Sequence, residues 1–163
     1  MQNQKTELNY IKILIDSLKD KKECLEKLIE TNRQFEKIAS EDELNQDAFD
    51  ENMGKKIKYI KCLDELDDGF TMVYNRVKEV LDGNRDTYKE EIGMLKELIK
   101  DITDLTVKLQ VLEQSNRELF EKRMGSSAGK IKIARTSNKA ATSYYKNMTS
   151  FSVLEPQFVD KKK

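Results

Sequence analysis

The residues best suited to chemistry in this chain are carboxylates. Glu65, Asp67 and Asp68 lie within four positions of one another, and Glu90 and Glu91 are adjacent. Paired carboxylates can share a proton, act as general acid and base, or hold a divalent metal. Each of these uses needs a geometry that the pattern does not favour. A di-metal carboxylate bundle takes Glu-x-x-His pairs pointing inward, and the chain has no histidine. Acidic neighbours at i, i+1 on a helix diverge by about 100° and normally face water. No Gly-rich phosphate loop, Cys-x-x-Cys or Gly-x-Ser-x-Gly occurs. The two cysteines, Cys24 and Cys62, sit far apart inside helical patterns. They read as reduced thiols in small interhelical packing positions, with a thiol switch as the remote alternative. The sequence therefore predicts no enzyme, no cofactor and no metal.

The elements that would carry these residues are long helices. Of the 163 residues 37% are charged and 7% aromatic, with one Pro and six Gly, a profile of long helices and coiled coils. The expected fold is all-α, an elongated antiparallel bundle of three long helices (about 6–39, 47–82 and 87–124) with a basic C-terminal segment. The first helix carries a heptad seam, with Ile11, Leu18, Leu25, Asn32 and Ala39 at one position and Leu14, Lys21, Leu28 and Phe35 at the other. Thr6 is a candidate cap. Ser40 with Glu43, or else Asp47, could start the second helix. That helix has the stripe Phe49, Met53, Ile60, Leu63, Phe70, Tyr74, Val77, Leu81, broken by Lys56 and Asp67. Gly69 reads as an exposed residue that merely weakens the helix, with a local bend as the alternative. Gly83 fits a left-handed helix end, and Thr87 with Glu90 fits a capping box opening the third helix. The third stripe runs Ile92, Leu95, Leu98, Ile99, Ile102, Leu105, Leu109, Leu112, Asn116, Leu119, Phe120. It is the most apolar of the three and predicts the central helix. Asn32 and Asn116 fall on core stripes, either selecting register as buried amides or facing water at helix ends.

Charge is segregated. Residues 1–121 hold 20 Lys/Arg and 28 Asp/Glu, a net of −8, while residues 122–163 hold 10 and 2, a net of +8. Residues 122–154 contain seven basic residues and no acidic one. Such asymmetry marks a segment that binds something, the chain's own acidic body included. Residues 125–163 read as a hinge and mobile basic tail, with helical potential over 130–148. Its basic density is too dilute for a nucleic-acid patch and its apolar face too small for a membrane-surface helix. No apolar run approaches a transmembrane span and the N-terminus is too polar for a signal peptide, so the expected location is cytoplasmic.

The layout resembles the flagellar export chaperones of the FlgN family, small helical proteins of flagellar type III secretion. Tyr10-Ile11-Lys12-Ile13-Leu14 opens a Lys/Glu/Leu-rich first helix, followed by an acidic connection, a second helix and a long third one. The stretch KIKIARTSNKAATSYY ending at Tyr145 and the ending Phe158-Val159-Asp160-Lys161-Lys162 look like the tails of Gram-positive members. The resemblance implies that the chain holds the C-terminal amphipathic helix of hook–filament junction proteins, prevents their premature assembly and delivers them to the export gate. Partner contacts are then expected at Leu112, Leu119, Phe120, Met124, Ile131, Ile133, Tyr144 and Tyr145. Nucleic acid and stable membrane insertion are not expected as partners, and homodimerisation is left open. The competing reading is a structural helical bundle that self-associates. The polar interruptions Lys21, Lys56 and Asp67 argue against a long uninterrupted two-stranded coil.

Overall fold

The structure, a computed structural model, describes residues 2–125. They form three helices: α1 (Gln2–Ser40), α2 (Gln46–Gly83) and α3 (Lys89–Gly125). The expected all-α bundle of three long helices is what the chain forms. At 39 residues α1 is about 58 Å long at the standard rise of ~1.5 Å per residue. The expected tail, including the proposed helix over 130–148, lies outside the described residues.

The directions of the helices can be read from their contacts. Ser17 Oγ donates to the Leu66 carbonyl at 3.5 Å, Cys24 Sγ to the Tyr59 carbonyl at 3.4 Å, and Asn52 Nδ2 to the Thr31 carbonyl at 2.9 Å. Each step of seven along α1 is a step of seven backward along α2, so the two run antiparallel. Ser17 and Cys24 are small, and side chains of that size reach a neighbouring backbone only where two helices approach closely. Against α3 the order is preserved: Lys22 meets Asp101, Asn32 meets Asn116, and Arg123 meets the carbonyls of Glu41 and Asp42. α1 and α3 are thus parallel.

The central helix is α1, not α3 as the stripes suggested. Both α2 and α3 pack along α1 and far less against each other. Apolar residue counts misled because α3 is apolar on one broad face, whereas α1 is apolar on two flanks. Besides its heptad seam, α1 buries Ile15 and Ile29 on one side and Cys24 and Thr31 on the other. α2 and α3 meet through long side chains at the loop end, where Phe49 and Phe120 stack with centroids 6.2 Å apart.

The helix ends correct several expectations. α1 begins at Gln2, so Thr6 lies inside it; Gln and Lys are good helix formers, and nothing between Gln2 and Lys5 stops the turn. The cap of α2 is Asn45, whose side chain accepts from the Ala48 N–H at 3.1 Å. Neither the Ser40–Glu43 box nor Asp47 serves as cap, and Asp47 instead sits in the first turn beside the helix dipole. Leu44, 7% exposed, anchors the connection in the core. At the other end Gly83 is the last residue of α2 and has no positive φ. Asn84 closes the helix instead, its backbone N–H and its Nδ2 both donating to the Val80 carbonyl at 3.0 and 2.9 Å. Tyr88 then leads into α3, its N–H on the Asn84 carbonyl and its buried hydroxyl on Glu7 Oε2 at 3.2 Å. This fastens the second connection to the start of α1.

Gly54, Gly69 and Gly93 are exposed within unbroken helix, as expected for Gly69. A Cβ built on any of the three meets no atom within 4 Å. Alanine at each is expected to raise the unfolding free energy by about 0.5–1 kcal/mol. The triple variant should add these to about 2 kcal/mol, because the three sites share no partner. Urea titration followed by circular dichroism measures the gain. A neutral triple variant would show that these glycines are not conventional helix-interior positions.

Candidate partner-binding face

The expected partner contacts on α3 fall in two parts, and the first is sealed. Phe120, an expected partner contact, is 8% exposed and belongs to an aromatic cluster. Phe49 stacks on it at an interplanar angle of 15° and meets Phe35 at 5.7 Å. The three rings come one from each helix. Phe120 is therefore a core residue in this state and not part of an open surface. The reason is local: Leu44 and Asn45 turn the chain so that the first turn of α2 carries Phe49 back over α3.

The second part is open. Leu98, Leu105, Leu112 and Leu119 are spaced by seven residues and are all half-buried against the core. Asp101, between the first two, pairs with Lys22 of α1 at 3.0 Å, so the row borders the α1–α3 seam. Two of the expected contacts, Leu112 and Leu119, therefore share a partly uncovered rim. On the opposite side of α3, Val107 and Val111 stand 55% and 67% exposed. Their position was legible from helical periodicity, since neither falls on the stripe. Met124 lies in the last turn of α3. Ile131, Ile133, Tyr144 and Tyr145 lie outside the described residues.

Beneath the aromatic cluster is a layer of buried polar groups contributed by all three helices. Asn116 Nδ2 donates to both the Asn32 carbonyl and Asn32 Oδ1, at 2.9 and 3.0 Å, and both residues are at most 1% exposed. The register-selecting reading of this pair holds, because a one-turn slip would leave two buried amides unmatched. Asn52 and Lys56 enter from α2 and Glu113 from α3. Lys56 is 0% exposed, with its Nζ 3.7 Å from the centre of the Phe35 ring. Burial pulls its ammonium down to about 8, against the attraction of Glu113. Lys56 looked like a flaw in the α2 stripe; in the structure it is a cation over an aromatic face.

The other two interruptions answer each other. Lys21 Nζ lies 2.6 Å from Asp67 Oδ1 across the α1–α2 interface. Burial pushes the Asp67 carboxyl up, and the Lys21 charge offsets this only in part; Asp64 and Asp68 add repulsion in the same direction as burial. Cys24 is buried as expected, but Cys62 is exposed, which corrects its reading as a packing residue. Among the described residues no group of three His, Cys, Asp or Glu could hold a metal ion. A shallow cleft lined by Tyr74, Leu81, Arg85, Ile92, Leu95 and Lys96 has space for about one water molecule. No helix among the described residues is long and apolar enough to cross a membrane.

The arrangement supplies two things of use to a binding protein: a rigid polar layer that fixes register, and an apolar rim along α3. No protein-family model, curated protein or solved structure matches the chain.

Proposed function

We propose that the protein is a cytoplasmic export chaperone that holds the amphipathic helix of a client against α3. On the resemblance given above, the client is the C-terminal helix of a hook–filament junction protein, kept from premature assembly and passed to the flagellar export gate. The observation that carries the reading is the half-buried row Leu98, Leu105, Leu112 and Leu119. A row of apolar residues at heptad spacing is what a second amphipathic helix packs against. The row leads into the basic C-terminal part of the chain, whose charge can steer a partner onto it.

The variant Leu112→Gln/Leu119→Gln keeps helix propensity and removes apolar surface at the rim. It is expected to weaken client binding by at least about tenfold, since each leucine half-covered by the bundle has ~1 kcal/mol left to contribute to a partner. By the same measure the covered halves hold the bundle, so its melting midpoint should fall by several degrees while its helical content at 25 °C is unchanged. Unchanged co-purification of the client would remove the proposal. The same rim could be covered by a second copy, which is the structural alternative. Sedimentation across a concentration series separates them: a dimer that this double variant dissociates, with no client bound, favours self-association.

A further inference from the structure

Cys24 and Cys62 lie beside each other across the α1–α2 interface, and the geometry points to a peroxide-sensitive disulfide site, in which exposed Cys62 is oxidised first and buried Cys24 resolves it. Three observations place the pair. The small residues Ser17, Cys24 and Thr31 bring the α1 and α2 backbones close enough for side chains of one helix to reach carbonyls of the other. Cys24 Sγ lies 3.4 Å from the Tyr59 carbonyl, and the side chain three residues on from a helical carbonyl, here Cys62, lies beside it. Cys62 stands close enough to add to the upward push on the Cys24 thiol.

Their environments differ in the way a sensor needs. Cys62 is open to solvent, whereas Cys24 is 6% exposed. Burial pushes the Cys24 thiol up to about 12, with Cys62 contributing in the same direction, so Cys24 stays protonated and inert toward dissolved oxidants. A hydroperoxide therefore meets Cys62. Its sulfur, as thiolate, attacks the terminal oxygen; the O–O bond breaks, an S–O bond forms, and the departing alkoxide or hydroxide takes a proton. The Cys24 sulfur then attacks the Cys62 sulfur, the S–O bond breaks, and hydroxide leaves with the Cys24 proton as water. Two thiols and one hydroperoxide give one disulfide, one alcohol (water in the case of hydrogen peroxide) and one water. The cross-link ties α1 to α2 midway along the bundle and fixes their axial register.

The test uses the full chain in its native state, treated with hydrogen peroxide and read by intact mass and peptide mapping. The expected product is a monomer lighter by about 2 Da that yields a linked Cys24–Cys62 peptide, is reversed by a thiol reductant and melts at a higher temperature than the reduced chain. Cys24→Ser should instead accumulate oxygen on Cys62, and Cys62→Ser should remain unmodified at the same dose. The proposal is overturned if the unaltered chain gains about 32 Da at Cys62 with no linked peptide. It is likewise overturned if only chain-to-chain dimers form, or if the link appears only in urea.

Discussion

Phe49→Ala is expected to lower the unfolding free energy by about 3–5 kcal/mol, enough to leave a bundle of this size marginally stable. Phe49 is 1% exposed and lies between Phe35 and Phe120, so its ring joins α2 to both other helices at the loop end. Truncation removes that ring's burial and leaves a void between two aromatic faces. The surroundings have little freedom to collapse into it, because Asn45 caps α2 one turn away and Arg123 clips the end of α3 to the carbonyls of Glu41 and Asp42. Met72→Ala, at a side chain 64% exposed on the outer face of α2, is the control and should change stability by less than about 0.5 kcal/mol. Urea unfolding of both variants measures the contrast. A cost below about 1.5 kcal/mol for Phe49→Ala would mean that the loop end is not packed as described.

The second large effect is the contribution of Lys56 to stability, which rises with pH in the alkaline range. Lys56 has a folded-state pKa of about 8, below the ordinary value of 10.5, because burial disfavours its charge. A depressed pKa means that the unfolded chain binds the proton more tightly than the folded one. The stabilising contribution of this group is complete above the ordinary value and is lost as pH falls through about 8. Between those limits the slope approaches about 1.4 kcal/mol per pH unit, for a total of about 3 kcal/mol. The thiol of Cys24 and the hydroxyl of Tyr88, both raised, act in the opposite sense, the thiol from its ordinary value of 9.0 upward and so inside the Lys56 window. Lys56→Met/Glu113→Gln removes the buried cation without stranding a carboxylate, and the difference between it and the unaltered chain isolates the effect. The unaltered chain should gain stability relative to the variant from pH 8 upward, measured by urea titration at successive pH values. Parallel pH profiles would show that Lys56 remains charged in the folded protein. Asp67 works in a separate window: its raised pKa favours the fold at low pH and costs stability as pH rises through the carboxylate range.

Much of this architecture is legible in the sequence because a heptad is a strong signal. Every a and d residue assigned to the first helix is buried in α1 except Lys21, which is partly buried. What escaped was pairing. A helical wheel displays one element at a time, so Lys21 and Asp67 each look like an error until the antiparallel register sets them 2.6 Å apart. Lys56 likewise requires Phe35, 21 positions earlier on another helix. The central role of α1 was missed because Ile15, Ile29, Cys24 and Thr31 flank its seam and count as ordinary helical residues until two partners cover them. Capping was misjudged for a similar reason. Ser, Asp and Asn are near-equal caps in isolation, and burial of Leu44 decides that the chain turns at Asn45. For the candidate face, the sequence identified Leu112 and Leu119 at the rim. It did not reveal the burial of Phe120, whose neighbour Phe49 arrives only through the fold.

Because α1 supports both other helices, the order of the chain is also an order of assembly. A ribosome releases the supporting helix first, so α2 meets a finished template as it emerges and forms a hairpin across the small residues of α1. α3 then lies down on the remaining flank, parallel to a surface already in place. One flank of α1 is covered as soon as α2 emerges, while the other waits for partners 79 and 84 positions later, at Asp101 and Asn116.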